Sequence, residues 1–226
     1  FNDDAMWLVD KNVKRSLINT EQTYQKLEET GQPLVCSAAY DFQMKKGKRV
    51  PFTKGHTIQT RAAGGLVESL YLFVGQRVML TDNMWTPMGA VNGTTGEVIG
   101  IYYEGKEEDA VPMQPLCVLV QLDTLYTGPS FLENMERVVP IYGTQTRGFR
   151  VGKTRLQRDQ IPLQVCWALS IHKSQGMTAG PEKRVHRLVI DIGTSDWCAG
   201  LAYVALSRSE SLACLALHPL HTYVGR

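Results

Sequence analysis

The succession of helical and strand patterns along the chain restricts it to few folds. Near both ends, apolar strands alternate with helical segments, a pattern typical of α/β domains. Between Leu66 and Tyr142 the pattern changes to short strands separated by turn formers such as Asn92-Gly93, and no helical period occurs between Gly75 and Gln160. The sequence therefore predicts an α/β domain with a small β-rich unit inserted into it.

The elements near the amino terminus predict a parallel sheet. Ala5 to Val9 is a short apolar strand, and Asp10 can cap a helix that ends near Gly31. A second strand, Leu34 to Ala38, completes the pattern of a βαβ unit. Towards the other end we expect a strand, a short helical turn, a strand, a helix and a strand. Their ranges are Leu163 to Leu169, His172 to Gly176, Leu188 to Ile192, Trp197 to Ser207 and Leu212 to Leu217.

The composition indicates a globular protein with a buried core. Of 226 residues, 43% are hydrophobic and 20% are charged, and no apolar run approaches the roughly 20 residues that span a bilayer. We therefore expect no membrane segment. The five cysteines contain no C-x-x-C pair, which favours core thiols in a reduced, intracellular protein over disulfides or a zinc site. His218 and His221 have helical ligand spacing but no cysteine or carboxylate nearby in sequence, so no metal site is predicted.

The net charge of +2 conceals two basic segments. Met44 to Arg61 contains six Lys or Arg residues and no acidic residue, and we expect it to be an exposed loop. A second run of five basic residues extends from Arg147 to Arg158. Both segments suit a path lined for phosphates, and both suit ordinary solvated loops equally well.

No phosphate-binding loop of the form G-x-x-x-x-G-K-[ST] occurs in the chain. Glycines of the central segment are interpreted as hairpin-turn residues: Gly75, Gly89, Gly93, Gly96 and Gly100. The segment that carries chemistry is instead an apolar strand leading into His172-Lys173-Ser174-Gln175-Gly176. Ligands of open α/β sheets bind after the strands, and donors there suit phosphate oxygens. A solvated helix cap is the simpler explanation of the same residues.

A second informative segment runs from Ala202 to Arg208. Its small and apolar residues suit a helix packed on a sheet, with one arginine at the carboxyl end. Arg208 can complement the helix dipole or pair with Glu210. It can also act as an arginine finger, a guanidinium that neutralises charge on a transferring phosphoryl group.

Three segments together resemble the Pif family of DNA helicases, the RecD-like petite integration frequency helicases of superfamily 1. Trp167 to Thr178 is similar to the family's motif V, and Tyr203 to Arg208 is similar to its motif VI. Val74 to Leu80, followed by Val91 to Gly96, is similar to the family's G-x-x-V-M-L…N-G-x-x-G stretch. The order and spacing of the three segments also agree with the family.

The resemblance covers Leu66 to Leu217 well and Phe1 to Tyr40 loosely, where Asp10-Lys11-Asn12 and Asn19 match the motif IV region. It implies an α/β fold of the RecA-like second motor domain, a parallel sheet with flanking helices. That domain would comprise residues 1–74 and 161–226. Residues 75–160 would form an inserted, small Src-homology-3-like β-barrel.

The resemblance also implies roles for individual residues. DNA-binding residues would be His172, Lys173, Ser174 and Thr178, ATP-binding residues would be Gln175, Gly176 and Arg208, and Arg208 would be the catalytic finger. The partners would be single-stranded DNA and an N-terminal motor domain in the same protein. That domain is absent from this sequence, and it would bind most of the ATP and Mg²⁺.

The implied activity is that of the C-terminal motor half of an ATP-dependent 5′-to-3′ DNA helicase, an ATP hydrolase only within a longer chain. The family further implies DNA repair, recombination and telomere maintenance, an intracellular location in the nucleus with the mitochondrion as the alternative, and a monomer. Residues 179–183 and 196–198 depart from the family's pattern, which suggests a divergent lineage such as a helitron-type element. A first residue of Phe1 suggests a fragment. The alternative is an ATPase-incompetent module, derived from a helicase, that binds nucleic acid or protein.

Overall fold

The computed structural model describes residues 5–52, 60, 62–103, 115–123, 126–145, 148–183, 185–193 and 200–218. The helices in this part of the chain are α1 (Asn12–Thr30) and α2 (Leu201–Leu206), and 3₁₀ turns lie at Thr86–Met88, Ile171–Ser174 and Leu212–Cys214. The strands in chain order are β1 (Ala5–Val9), β2 (Val35–Ala38), β3 (Tyr40–Lys45), β4 (Lys48–Pro51), β5 (Ser69–Leu72), β6 (Arg77–Leu80), β7 (Thr95–Tyr102), β8 (Cys117–Leu122), β9 (Val138–Tyr142), β10 (Thr144–Gln145), β11 (Phe149–Val151), β12 (Thr154–Gln160), β13 (Leu163–Val165), β14 (Ala168–Ser170), β15 (Arg187–Asp191) and β16 (Leu215–Leu217).

The chain divides into two compact units. The terminal unit comprises Phe1–Lys26 and Cys166–Arg226, and the central unit comprises Leu27–Val165. The boundaries between these two units lie at different residues from the predicted domain boundaries, 74/75 and 160/161. Those domain boundaries remain a prediction.

The terminal unit contains a parallel sheet of four strands in the order β14-β1-β15-β16. Leu8 and Val9 of β1 are fully buried, and Ile190 of β15 lies opposite Leu8. Nearly continuous apolar runs of this kind are typical of parallel strands that are covered on both faces. The predicted α/β character and the strand Ala5 to Val9 are confirmed.

The prediction that Leu34 to Ala38 is the second strand of a parallel βαβ unit is wrong. β2 pairs antiparallel with β5 in the central unit, with Val35 opposite Leu72 and Ala38 opposite Ser69. The parallel neighbours of β1 are instead β14 and β15, from the other end of the chain. The apolar pattern identifies a strand, but the partner depends on which surfaces the rest of the chain leaves to be buried.

One of the predicted strands consists of two separate strands in the structure. Leu163 to Leu169 divides into β13, which pairs antiparallel with β6, and β14, which pairs parallel with β1. The chain passes between the two units at Val165 and Cys166. The helix expected at Trp197 to Ser207 is described as α2, and residues 194–199 lie outside the described residues.

The central unit consists of antiparallel sheets. Five strands pair in the order β13-β6-β7-β8-β9, and a second sheet has the order β10-β12-β3-β4, with β11 paired to β12. Fully buried side chains that include Val98, Val120 and Ile141 fill the core of the first sheet. Among the described residues between Gly75 and Gln160, the helical element is one 3₁₀ turn, so the prediction of a β-rich segment is confirmed.

The prediction that Met44 to Arg61 is a loop is wrong for its first residues. β3 and β4 form a hairpin in which Met44 lies opposite Arg49 and Lys45 opposite Lys48. Lys46 and Gly47 turn the chain with positive φ angles of 48° and 74°. The basic side chains are exposed as expected, and residues 53–59 and 61 lie outside the described residues.

Gly96 is not a turn residue as predicted, because it lies inside β7. A Cβ atom there would be 2.6 Å from the carbonyl oxygen of Gln121 and 2.7 Å from Cγ1 of Val120 on the neighbouring strand. Gly100 also lies in β7, whereas Gly75, Gly89 and Gly93 have the positive φ angles of turn glycines. Only glycine permits the close approach of β7 and β8 at Gly96.

Two arginines of the central unit are neutralised inside it. Arg158 is fully buried, and its Nε and Nη2 each donate to a carboxylate oxygen of Asp41 at 2.7 Å, while Nη1 donates to the carbonyl of Leu66 at 3.0 Å. Nη2 of Arg77 lies 2.7 Å from Oδ2 of Asp123. The assignment of Arg158 to a phosphate-lined path is therefore wrong, because its charge is buried and paired.

The four cysteines among the described residues are all free thiols. Cys117, Cys166 and Cys214 are buried free thiols, and Cys36 is an exposed one. No helix in this part of the chain is both long enough and apolar enough to cross a bilayer.

Candidate functional site

The segment His172 to Gly176 begins directly after β14, at the carboxyl edge of the parallel sheet. Its first residues form the 3₁₀ turn Ile171–Ser174, so the predicted short helical turn is confirmed. The turn is closed by the backbone N–H of Met177, which donates to the carbonyl of Ser174 at 3.0 Å. Gly176 has a φ of +88°, a conformation that L side chains rarely adopt.

The side chains of this turn divide into exposed and internal ones. His172, Lys173, Gln175 and Thr178 are exposed, whereas Ser174 is buried. The hydroxyl of Ser174 donates to the carbonyl of Ile171 at 2.7 Å. A DNA contact by Ser174 would have to break that bond, so the exposed side chains are better placed to meet a ligand.

Arg208 lies just beyond α2, and neutral acceptors hold its guanidinium. Nε donates to the carbonyl of Val204 at 3.1 Å, Nη1 to the carbonyl of Met177 at 3.5 Å, and Nη2 to the hydroxyl of Ser207 at 2.9 Å. The pairing with Glu210 considered from the sequence is not formed, because Glu210 lies 3.5 Å from Nζ of Lys183. The bond to Val204 does cap the carboxyl end of α2. No carboxylate among the described residues neutralises Arg208.

The turn at His172 and the arginine are joined through the backbone. The N–H of Ala179 donates to the carbonyl of Arg208 at 2.8 Å, and the N–H of Glu210 donates to the carbonyl of Ala179 at 2.9 Å. Ala179 and Ser209 form a parallel bridge, and α2 packs against the 3₁₀ turn. The structure thus brings the two sequence segments singled out above to one place.

Asn19 of α1 anchors the strand that leads into the turn. Its Oδ1 accepts from the backbone N–H groups of Trp167 and Ala168 at 2.7 and 2.8 Å, and its Nδ2 donates to the carbonyl of Ala168 at 3.1 Å. These bonds satisfy backbone groups at the start of β14 that have no ladder partner on that side. The sequence offered Asn19 only through its resemblance to the motif IV region, and three-dimensional structure is needed to see its partner.

Lys14 sits between two carboxylates at the same edge of the sheet. Its Nζ is 3.2 Å from Oδ1 of Asp10 and 2.8 Å from Oδ1 of Asp191, and the N–H of Gly193 donates to Asp191 at 2.8 Å. Partial burial by itself would lower the pKa of Lys14, but the hydrogen bonds to Asp191 and Asp10 and their charges outweigh it, so the pKa is raised. Lys14 is fully paired in this cluster, and because two carboxylates face one cation the cluster keeps a net negative charge.

Arg15 is a cation that the sequence analysis missed. It lies four residues before Asn19, on the same face of α1. Lys14 reaches the carboxyl end of β15 and Asn19 reaches the start of β14, so α1 runs antiparallel to the strands and brings Arg15 towards the carboxyl edge. Its position four residues before Asn19 in a predicted helix could have identified Arg15 from the sequence.

The positive charge of Arg15 acts on Lys173. Partial burial and then the positive charge of Arg15 lower the pKa of Lys173, while Cys166 acts in the opposite direction. Neither cation pairs with a carboxylate in the described part of the chain. Two cations that repel each other and have no acidic partner favour the binding of an anion.

Metal ligands are not assembled at this edge. No group of three or more His, Cys, Asp or Glu side chains able to hold a metal ion is found among the described residues. Asp10 and Asp191 are both bound by Lys14. His218, one of the two histidines considered above, packs its ring edge-on against Trp7 at 5.4 Å, and His221 lies outside the described residues.

The parallel sheet and the antiparallel sheets together match part of solved Pif1 helicase structures. The crystal structure of Pif1 helicase from Candida albicans aligns with 96% of this chain and 45% of its own, with a TM-score of 0.64 and 25% identity. Pif1 helicase from Bacteroides, in complex with ADP-AlF3 and single-stranded DNA, aligns with 98% of this chain and 42% of its own, with a TM-score of 0.58 and 20% identity.

Sequence comparison gives the same relationship. The human ATP-dependent DNA helicase PIF1 is 35% identical over 143 residues, which are 63% of this chain and 18% of the human protein. The chain is a relative of the Pif1 family of DNA helicases and matches less than half the length of these proteins. No family model matches the chain. The resemblance to the Pif family predicted from the sequence is confirmed.

Proposed function

We propose that this chain is the C-terminal motor half of an ATP-dependent 5′-to-3′ DNA helicase. The terminal unit would be the RecA-like second motor domain, and the sheet β13-β6-β7-β8-β9 would belong to the Src-homology-3-like barrel. The observation that carries the proposal is the backbone link at Ala179, which joins the segment that follows the turn at His172 to Arg208. A shift of the turn along DNA would be transmitted directly to an arginine at the nucleotide.

Arg208 would be the arginine finger. Its present acceptors are two carbonyls and a hydroxyl, which leave the positive charge uncompensated. A transferring phosphoryl group spreads negative charge over its oxygens, and a guanidinium stabilises that charge best where water is excluded. The carbonyl of Met177 accepts a hydrogen bond from Arg208. Gln175 and Gly176 come directly before Met177 in the chain, so they would also lie near the nucleotide.

Single-stranded DNA would lie against the exposed cations of the turn. His172 and Lys173 are exposed, and Arg15 adds a positive charge that acts on Lys173. Such groups bind phosphate oxygens through charge-assisted hydrogen bonds. Thr178 is exposed at the end of the same segment and would extend the contact, while Ser174 would shape the turn from inside.

ATP and Mg²⁺ would be held mainly by a phosphate-loop domain. The relative from Bacteroides was crystallised with ADP-AlF3, and this chain has no phosphate-binding loop of its own. Its described residues offer the guanidinium of Arg208 and no metal-ligand group, so we assign no Mg²⁺ ligand to this chain. We expect the chain by itself not to hydrolyse ATP.

The test is Arg208→Ala in the intact protein. We expect DNA-stimulated ATP hydrolysis to fall about 10³-fold, the scale of arginine-finger losses, while ATP and DNA binding persist. Lys183→Ala is the matched control, since it removes a half-buried cation that, unlike Arg208, is paired with a carboxylate, that of Glu210 at 3.5 Å. Near-normal hydrolysis in Arg208→Ala, measured by phosphate release, would refute the finger.

A helicase-derived binding module without ATPase activity is the other candidate, favoured by the absence of a phosphate-binding loop from these residues. The same experiment separates the two functions. A module would bind DNA or protein but show no DNA-stimulated hydrolysis in the wild-type intact protein, and Arg208→Ala would then change nothing.

A further inference from the structure

The serine that comes directly before Arg208 contacts its guanidinium. Ser207 lies at the carboxyl end of α2, where its backbone keeps helical angles of φ −66° and ψ −3°. Its Oγ accepts a hydrogen bond from Nη2 of Arg208 at 2.9 Å and donates one to the carbonyl of Val204 at 3.0 Å. Adjacent side chains of a helix do not face each other, so this contact requires a specific arrangement of both residues.

The three residues form a closed ring of hydrogen bonds. The carbonyl of Val204 accepts from the hydroxyl of Ser207 and also from Nε of Arg208, at 3.1 Å. A serine hydroxyl has one proton and two lone pairs. Because the proton of Ser207 is directed at Val204, a lone pair of its oxygen faces Arg208. The end of the helix thus orients the hydroxyl, and the hydroxyl orients the guanidinium.

The other contacts of the guanidinium cannot replace this one. Nη1 of Arg208 lies 3.5 Å from the carbonyl of Met177, which is at the long limit for a hydrogen bond. Among the described residues, the acceptor for Nη2 is Ser207. Loss of the hydroxyl would leave Nη2 without an acceptor and the side chain fixed mainly at Nε, by Val204.

Ser207 holds Arg208 without cancelling its charge. A carboxylate in the same place would bind the guanidinium more strongly, but it would also neutralise it. Glu210 is close in sequence, yet its carboxylate lies 3.5 Å from Nζ of Lys183. The side chain of Ser207 is exposed, so packing in the core does not account for it.

We propose that Ser207 is a positioning residue for ATP hydrolysis, whose hydroxyl fixes the guanidinium of Arg208 and leaves its charge available to a transferring phosphoryl group. The inference rests on the proposed function, in which Arg208 is the arginine finger. A charged group accelerates a reaction most when it is already oriented, because no free energy is then spent on orienting it during the reaction. Ser207 acts only through Arg208 and does not touch the nucleotide.

The test compares ATP hydrolysis by variants of the intact protein. We expect Ser207→Ala to lower the kcat of DNA-stimulated hydrolysis about tenfold, the scale of one lost hydrogen bond to a charged group, and to leave the KM for ATP unchanged. Ser207→Thr should stay within about twofold of wild type, because a threonine hydroxyl also binds a carbonyl one turn earlier. Ser211→Ala is the matched control, since it removes a nearby exposed hydroxyl that donates to Sγ of Cys214 at 3.3 Å.

A charged substitution provides a second readout. Ser207→Asp places a carboxylate beside the guanidinium, so we expect its kcat to fall below that of Ser207→Ala, towards the roughly 10³-fold loss expected for Arg208→Ala. A role only in ending α2 would instead lower the thermal midpoint and leave the kcat of the folded protein unchanged. A wild-type kcat in Ser207→Ala, or equal kcat values in Ser207→Ala and Ser207→Asp, would overturn the proposal.

A double substitution separates this inference from the finger itself. If Ser207 acts through Arg208, the variant Ser207→Ala/Arg208→Ala should be no slower than Arg208→Ala. A further loss of about tenfold in the double variant would show that the two residues act independently, and the inference would be wrong. Near-normal hydrolysis in Arg208→Ala would contradict the proposed function. A large loss in Arg208→Ala beside a wild-type kcat in Ser207→Ala would retain the finger and reject only the role of Ser207.

Discussion

Arginine has opposite roles in the two units. In the central unit, Arg158 and Arg77 donate to the carboxylates of Asp41 and Asp123, so each positive charge is cancelled where it lies. In the terminal unit, Arg208 donates to two carbonyls and a hydroxyl, which fix the side chain but leave its charge intact. Carboxylate partners make an arginine part of the architecture, and neutral partners keep it available to an anion.

Lysine follows the same division within the terminal unit itself. Lys14 is compensated by Asp10 and Asp191, whereas Lys173 lies near Arg15 and no carboxylate in the described residues pairs with it. Cations with and without a carboxylate partner thus lie at the same edge of one sheet. We expect substitution of a cation that is paired with a carboxylate to lower the stability of the fold. We expect substitution of an unpaired cation to weaken the binding of an anion.

The largest effect is expected at Arg158. Arg158→Met leaves Asp41 partly buried without its cation, which should destabilise the central unit by about 3 to 5 kcal/mol, the cost of breaking a buried pair. Urea denaturation measures this loss. Replacing both partners, as in Arg158→Met/Asp41→Leu, should recover most of it because the unpaired charge is gone. A decrease in the free energy of unfolding of less than about 1 kcal/mol for the single variant would show that the pair of Arg158 and Asp41 is not structurally important.

A smaller loss is expected for Lys14→Met. The variant sets two carboxylates against each other without a cation, but Lys14 is 35% exposed, so we expect about 2 kcal/mol rather than the buried-pair value. Since folding raises the pKa of Lys14, its contribution is complete below the ordinary value of 10.5 and is lost as the pH rises through the folded-state pKa. The difference in stability between wild type and Lys14→Met should therefore be constant near neutral pH and shrink only in strong alkali.

The smallest effect is expected for Arg15, a cation without a carboxylate partner, and it concerns DNA binding. Arg15→Ala should weaken single-stranded DNA binding about fivefold and lower the salt slope by about 0.7, because one phosphate contact is lost, with little change in stability. Arg187→Ala is the control, as Arg187 is an exposed cation at the opposite, amino end of β15. If the two variants bind oligo-dT equally well, Arg15 does not belong to the DNA site.

Local pattern predicted much of the candidate site. The turn at His172, with glycine at a position of φ +88°, and the helix before Arg208 were both expected from short stretches of sequence. Each depends on residues that are neighbours in the chain, so the free energy that decides it is local. The specific roles of Gln175, Gly176, Thr178 and Arg208 stay predictions.

Pairing partners could not be predicted in the same way. Leu34 to Ala38 was recognised as a strand, but whether β2 joins β1 or β5 depends on surfaces contributed by distant residues. Gly96 has the sequence context of a turn glycine, but it lies inside β7, where an added Cβ would be 2.6 Å from the carbonyl oxygen of Gln121. Asn19 gave no local sign that it would bind the backbone of Trp167 and Ala168.

Three properties could be predicted from the amino-acid sequence alone: the α/β pattern near both ends, the β-rich middle and the relationship to Pif helicases. Those properties reside in periodicity, glycine positions and motif order, which need no knowledge of contacts. Tertiary contacts decide which basic residues are paired with internal carboxylates, as Arg158 is, and which remain exposed, as Lys173 does. The reason is electrostatic: a charge has the same appearance in a sequence whether or not folding brings an opposite charge within hydrogen-bonding distance.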